Sequence, residues 1–192
     1  DGGLYGSRLM IEEDGCTVFE GRLPDSDIPV YFIDNPVFSR RPGLYGRSGS
    51  HTYRDNSYRF ALFSRAALEL CSALSWTPDI VHSHDWQSAL MNAYINELRA
   101  GGKFTKSKTV FTIHNIGYQG VFSRHDLHSI GLPRKRCSDG SPSYGEHLNY
   151  MRAGILNADV ITTVSPTYAG EIRSPEFGEG LEDLLEQRSD SL

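Results

Sequence analysis

Cysteine is scarce: Cys16, Cys71 and Cys137 are the only three in 192 residues, odd in number and widely spaced. That argues against a disulfide framework or a thiol zinc site and fits reduced cytosolic thiols. A basic excess is also missing. Nineteen Lys and Arg face 24 Asp and Glu, for a net charge of −5 and a pI of about 5.8. Such a chain offers no electrostatic footprint for nucleic acid or an anionic membrane. No apolar run approaches the roughly 20 residues of a membrane span, and the first residues lack a signal-peptide pattern. There is no Gly-x-Gly-x-x-Gly fingerprint and no Walker loop, so a nucleotide held in either cradle is unsupported. Repeats and low-complexity tracts are absent too. What remains is ordinary globular usage, 39% hydrophobic and 22% charged, with length for one real core. The expectation is a soluble, cytosolic, single-cored chain.

The alternation of apolar patterns predicts an α/β fold. Leu9 to Ile11 and Thr17 to Phe19 read as short strands of a hairpin around Glu12-Glu13-Asp14-Gly15, and Ile28 to Ile33 as a third strand. Arg40 to Ser50, rich in Arg, Gly and Ser, reads as a surface loop. A helix follows from Asp55-Asn56-Ser57, with Phe60, Ala61, Phe63, Ala67, Leu68, Cys71 and Leu74 on its buried face. Asp55 or Asn56 is either its N-cap or a direct ligand residue. Ile80-Val81 begins a buried strand, Ser88 to Arg99 a helix, and Thr109 to Ile113 a second strand, which together form a β-α-β unit with parallel strands and a right-handed crossover. Ser123 to Gly145 reads as an irregular excursion with a helical turn near His125 to Ile130. Leu148 to Leu156 is predicted helical, Val160 to Val164 a strand, and Ser165-Pro166 the cap and first position of a short helix through Ile172. Gly180 to Gln187 is the last helical fragment.

The chemistry gathers where two strands end. Ile80-Val81 runs into His82-Ser83-His84-Asp85-Trp86, and Thr109 to Ile113 runs into His114-Asn115. Polar groups directly after buried strands are costly unless they find partners. In open α/β sheets the crevice at the carboxyl ends of the strands is where ligands bind. Two equivalent strand ends bearing histidine with a carboxylate or amide therefore predict one shared pocket. A zinc site from His82, His84 and His114 is open, because strand alternation points His82 and His84 to the same side, though no further clustered ligand completes it. Ser83 sits in no glycine-flanked elbow, which weakens a Ser-His-Asp nucleophile. A polar pocket with Trp86 and Tyr118 nearby suits a sugar, whose apolar faces rings can cover and whose hydroxyls carboxylates and amides can bind. Trp86 has a second reading, as packing beneath the strand ends.

Asp79-Ile-Val-His-Ser-His-Asp-Trp86, Val110-Phe-Thr-Ile-His-Asn-Ile-Gly-Tyr-Gln-Gly120 and Val160-Ile-Thr-Thr-Val-Ser-Pro-Thr-Tyr-Ala169 together resemble the glycogen and starch synthases that use a nucleotide-activated glucose. Tyr31-Phe-Ile-Asp-Asn-Pro36, Asp55-Asn56 with Arg59-Phe60, and Ala66-Ala-Leu-Glu69 fit the same pattern, which runs from about Val18 to Gln187. The resemblance implies a GT-B type glycosyltransferase of two Rossmann-like domains facing a cleft, each a parallel sheet flanked by helices. It further implies transfer of glucose from ADP-glucose (UDP-glucose in some members) to the non-reducing end of an α-1,4-glucan such as glycogen or a maltooligosaccharide, with retention and with neither a catalytic metal nor a cofactor. His114 then lies beside the transferred glucose, Asp85 orients the reacting groups, and Asn115 binds sugar hydroxyls. Tyr118 and Gln119 line the cleft near the acceptor, and Trp86, Asp55 and Asn56 join as substrate-binding positions. The setting implied is the cytoplasm, or the plastid in a plant or alga.

Three departures mark this chain. Gln87 stands where many members have a second histidine after the tryptophan. Gly2-Gly3-Leu4 only echoes the family's Lys-x-Gly-Gly donor loop, without its lysine. The chain also stops before a second, nucleotide-binding domain. Residues 1–192 are therefore expected to be one incomplete amino-terminal domain, inactive alone. The competing classes are a non-catalytic glucan-binding module and a His-ligated zinc hydrolase.

Overall fold

In the computed structural model, residues 8–10, 15–47, 51–132, 143–144 and 147–192 are described. The expected Glu12-Glu13-Asp14-Gly15 turn and Cys137 lie wholly or mostly outside them. The chain divides into two compact units, Asp1–Trp76 and Thr77–Leu192.

The first unit is built on an antiparallel sheet. Strands β1 (Arg8–Met10), β2 (Thr17–Arg22) and β3 (Pro29–Asp34) lie in that order, with Val18 opposite both Leu9 and Ile33. A short helix α1 (Pro36–Ser39) follows, capped by the Asn35 side chain on Val37 N–H. Gly46–Arg47 (β4) and His51–Thr52 (β5) then form a small ribbon within a stretch expected to be loop. Helix α2 (Asn56–Ala73) covers the sheet. The core joins Cys16, Val18, Leu62, Ala66 and Leu70, with Tyr31, Ile33, Val37 and Tyr58 packed against it. The sheet-facing stripe is thus Leu62, Ala66 and Leu70, spaced by four. Phe63 and Leu74, expected on the buried face, are exposed. Burial of Phe60, Ala61, Ser64 and Leu68 as well means that most of the helix circumference is covered, which blurs the phase of a single stripe. Neither Cys16 nor Cys71 forms a disulfide.

The second unit contains the expected β-α-β unit. Strands β6 (Ile80–His84), β7 (Lys108–Ile113) and β11 (Val160–Thr163) form a parallel sheet in the order β11-β7-β6. After β6 come α3 (Asp85–Ser88) and α4 (Leu90–Ala100). α4 buries Leu90, Met91, Ala93, Tyr94 and Ile95 and stops at Gly101. Within the stretch expected to be an irregular excursion, Ser123 to Gly145, the described residues include regular elements. The stretch is bracketed by antiparallel β8 (Val121–Ser123) and β10 (His147–Asn149), with β9 (Ser143–Tyr144) at the edge. A 3-10 turn over Arg124–Ser129 supplies the expected helical turn. Helix α5 (Tyr150–Asn157) begins later than predicted, because Leu148 and Asn149 finish β10 and the Asn149 side chain caps the helix on Arg152 N–H. Gly154 in α5 lies so close to Phe111 of β7 that an added Cβ would stand 2.7 Å from its ring. Such contact presses helix onto sheet with no room for a larger residue. Ser165 caps α6 (Pro166–Glu171) with Pro166 at its first position, as predicted, and α7 (Glu182–Gln187) ends the helical series. No described helix is long and apolar enough to cross a membrane.

At the amino ends of the parallel strands, Asp159 accepts from Arg99 Nη2 at 2.6 Å and from Thr109 N–H at 2.7 Å. Burial works to raise the Asp159 carboxyl's pKa, but the bonds from Arg99 and Thr109 outweigh it and hold the value below the ordinary carboxylate level. This latch fixes the strand starts, and the opposite ends are left to carry chemistry.

Candidate functional site

Strand alternation sorts the His82-Ser83-His84 triplet. Ser83 is only 1% exposed, and its hydroxyl accepts from the buried Asn92 amide at 2.8 Å. The Ser-His-Asp nucleophile is thereby overturned: the hydroxyl is inside, on the face away from both histidines. His82 and His84 share the exposed face, their ring centroids 4.2 Å apart. His82 Nε2 meets Thr112 Oγ1 at 2.7 Å, and Thr112 meets Thr162 Oγ1 at 2.6 Å, a polar row across all three parallel strands.

The two strand ends do converge, as expected. Asp85 starts α3 directly after β6, with φ +51, a left-handed backbone that a non-glycine residue adopts at a cost. Its Oδ1 accepts from His114 N–H at 2.8 Å and from Asn115 N–H at 3.2 Å. One carboxylate oxygen thus ties the end of β6 to the residues that follow β7. His84 Nδ1 stands 3.0 Å from His114 Nε2, a second tie between the same strand ends. Burial, followed by the neighbouring His82 and His114, pushes the His84 imidazole below its ordinary value, against the opposing pull of Asp85.

The loop after His114 is equally well held. Asn115 Oδ1 accepts from Gly117 N–H at 3.0 Å, which commits the oxygen and leaves the amide donors for a ligand. Ile116 N–H donates to Tyr168 Oη at 3.0 Å. Tyr118 is 70% exposed, its ring open to solvent. Gln119 is anchored by Asn149, which donates to its Oε1 at 2.6 Å, while its own amide donates to Glu179 O at 2.9 Å. Trp86 is placed differently. It is 8% exposed, its ring 5.7 Å from Phe122 and pressed so close to Gly120 that an added Cβ there would collide with it. These surroundings fit the packing reading, a floor beneath the loop.

Asp55 and Asn56 belong to the first unit. Asp55 makes no side-chain cap bond; both carboxylate oxygens take Arg41 Nη1 and Nη2 at 2.7 and 2.6 Å. That bidentate bond is the main reason its pKa lies below the ordinary carboxylate level. Asn56 is buried, donating to Tyr45 O at 2.8 Å. Next to it Arg59, fully buried, donates to Val37 O at 2.9 Å and Leu44 O at 2.7 Å under the Phe38 and Tyr53 rings. Together they clamp the Arg40–Tyr45 segment to the start of α2. The supporting roles of Arg59, Ser88, Tyr168, Thr112 and Thr162 are not legible as sequence motifs. Only Arg59, an arginine on the apolar side of a helix, left a signal.

For a metal, zinc bonds of about 2.0–2.1 Å in tetrahedral array need ligand nitrogens about 3.3 Å apart and turned toward one point. His84 and His114 instead turn their nitrogens toward each other, and His82 spends Nε2 on Thr112. Among the described residues no group of three His, Cys, Asp or Glu is placed to hold a metal ion.

Comparison with known proteins bears on the whole chain. The profile of the starch synthase catalytic domain matches residues 5–187. The glycogen synthase of Treponema denticola is 38% identical over 175 residues, spanning 91% of this chain and 36% of that protein. That of Burkholderia thailandensis is 44% identical over 180 residues, spanning 91% and 33%. Among solved structures, the catalytic domain of starch synthase IV from Arabidopsis thaliana bound to ADP and acarbose matches with a TM-score of 0.78 at 32% identity, covering 96% of this chain and 38% of that one. The chain thus spans about a third of the length of these relatives. With a profile match over nearly its entire length, this chain belongs to the starch synthase catalytic domain family of glycogen and starch synthases.

Proposed function

We propose that this chain is part of the amino-terminal domain of a two-domain GT-B glycosyltransferase. The full-length enzyme transfers glucose from ADP-glucose to the non-reducing end of an α-1,4-glucan, with retention, in the cytoplasm (the plastid in a plant or alga). The observation that carries this reading is the meeting of Asp85 with the His114-Asn115 backbone at the ends of adjacent parallel strands, in a chain of this family. The ADP and acarbose named with the starch synthase IV structure support a nucleotide-sugar donor and a glucan acceptor.

Breaking the bond between the sugar's anomeric carbon and the departing diphosphate builds positive charge on the sugar and negative charge on the leaving group. Polar groups already aimed at that charge cost no reorganisation when it forms, and this is usually the largest catalytic term. His114 stands beside the transferred glucose and Asn115 offers its amide donors to sugar hydroxyls. Asp85 orients both by holding their backbone N–H groups. Tyr118 and Gln119 line the acceptor side. Trp86 supports this loop from beneath, and Asp55 and Asn56 are substrate-binding positions carried by the first unit. The nucleotide sugar is a substrate, and no resident cofactor or metal enters the scheme. The chain alone is inactive, since one wall does not close a cleft.

The test is transfer of labelled glucose from ADP-glucose and, separately, UDP-glucose to a maltooligosaccharide by the full-length protein, with the product's new linkage identified. Chain extension through α-1,4 bonds is expected. Binding of maltooligosaccharide with no transfer from either donor would replace the enzyme by a glucan-binding module.

A further inference from the structure

His84 has no part in the scheme above, yet it is held more tightly than its exposed position demands. Its backbone N–H donates to Ser88 Oγ at 2.7 Å, and Ser88 Oγ donates back to His84 O at 2.7 Å. Its ring stacks on His82, itself pinned through Thr112 to Thr162. The ring held in this way presents Nδ1 to His114 Nε2 at 3.0 Å. At that separation one nitrogen carries a proton and the other a lone pair, because two N–H groups or two lone pairs facing each other repel.

We infer that His84 is a positioning residue for His114: its Nδ1 accepts from His114 Nε2–H, which fixes the His114 ring and its proton and leaves Nδ1 of His114 as the nitrogen that faces a ligand. The inference rests on the proposed site at His114. It requires a neutral His84, since an imidazolium could only donate. Charged and titratable neighbours face this ring from three sides, His82 on the same strand, His114 after β7 and Asp85 at the start of α3, and the net effect with burial disfavours the imidazolium. A neutral imidazole has one donor and one acceptor nitrogen. The inferred tautomer of His84 carries its proton on Nε2, which makes Nδ1 the acceptor. A ligand-facing histidine whose far nitrogen is fixed by a second group is the arrangement by which proteins select a tautomer.

Two variants of the full-length enzyme separate positioning from packing. In His84→Asn the side-chain amide stands near the place of Nδ1 and can still accept; in His84→Phe the ring and its stacking on His82 remain but the acceptor is gone. His84→Asn is expected to keep kcat within about threefold of the parent. His84→Phe should lose about tenfold or more in kcat with little change in KM for the donor, as expected when a reacting group is misplaced by a fraction of an ångström. Equal melting temperatures would show that both fold. Imidazole nitrogen chemical shifts of histidine-labelled protein give a reading that needs no turnover. His114 should be protonated at Nε2 in the parent and in His84→Asn, and should lose that preference in His84→Phe. A parent in which His114 is protonated only at Nδ1, or a His84→Phe enzyme as fast as the parent, overturns the inference. The predicted shifts in a parent that transfers no glucose would leave the positioning intact and defeat the proposed function instead.

Discussion

At Asp85 a single oxygen holds two backbone amides while the residue sits at φ +51. Both features set what a substitution does. Asparagine keeps an acceptor oxygen and tolerates a left-handed backbone, whereas alanine loses the acceptor and keeps the strain. Asp85→Asn is expected to change unfolding free energy little, and Asp85→Ala to cost about 1–3 kcal/mol from two amides left without their partner. Urea titration of both variants checks this, and turnover in the full-length enzyme should fall further in Asp85→Ala. His84 makes a pH prediction. Its folded-state pKa lies below the ordinary 6.5, so between the two values the unfolded chain binds a proton that the folded chain refuses. Stability is then fully present above the unfolded value and declines as pH falls through it. Urea midpoints measured from about pH 7.5 down to about pH 5.5 should drop less steeply in His84→Asn than in the parent; parallel slopes would remove His84 from the linkage.

The elements show which sequence signals carry information. Ile80 to His84 and Thr109 to Ile113 were legible because each is a short apolar run cut off by polar residues, and their pairing follows from the helix between them. Both strand ends, and therefore Asp85, His114 and Asn115 as a group, were legible for the same reason. The Val121–Ser123 and His147–Asn149 pair was not: three-residue antiparallel strands carry too few residues to show a period. Asn149 was hidden with them. It reads as an interior helical residue, yet it ends a strand, caps α5 and anchors Gln119. Asn149→Ala should cost about 1 kcal/mol for the lost cap, with a lower melting temperature. Because Gln119 loses its donor, apparent affinity for a maltooligosaccharide should weaken in the same variant. A Tm loss with unchanged affinity would confine Asn149 to the cap.

On the scale of the whole molecule, the chain matches its family over residues 5–187 while spanning about a third of its relatives' length. The family was legible because its motifs sit where a parallel sheet concentrates function, at strand ends and the loops after them. The supports were not legible, since Ser88, Thr112, Thr162 and Tyr168 act through contacts between segments distant in sequence and carry no local pattern. Arg59 is intermediate: its burial breaks the apolar rule of its helix, but the carbonyls it serves lie 15 and 22 positions away.

The strand-end site around His114 is proposed above to transfer glucose. It is tested most directly by incorporation of labelled glucose from ADP-glucose into glycogen by the full-length enzyme, run beside its folded His114→Ala form. The parent enzyme should be active and the variant should lose about a hundredfold or more in kcat, the scale on which removing one transition-state hydrogen bond acts. Equal rates in the two would contradict the site, and a parent silent with both ADP-glucose and UDP-glucose would contradict the function.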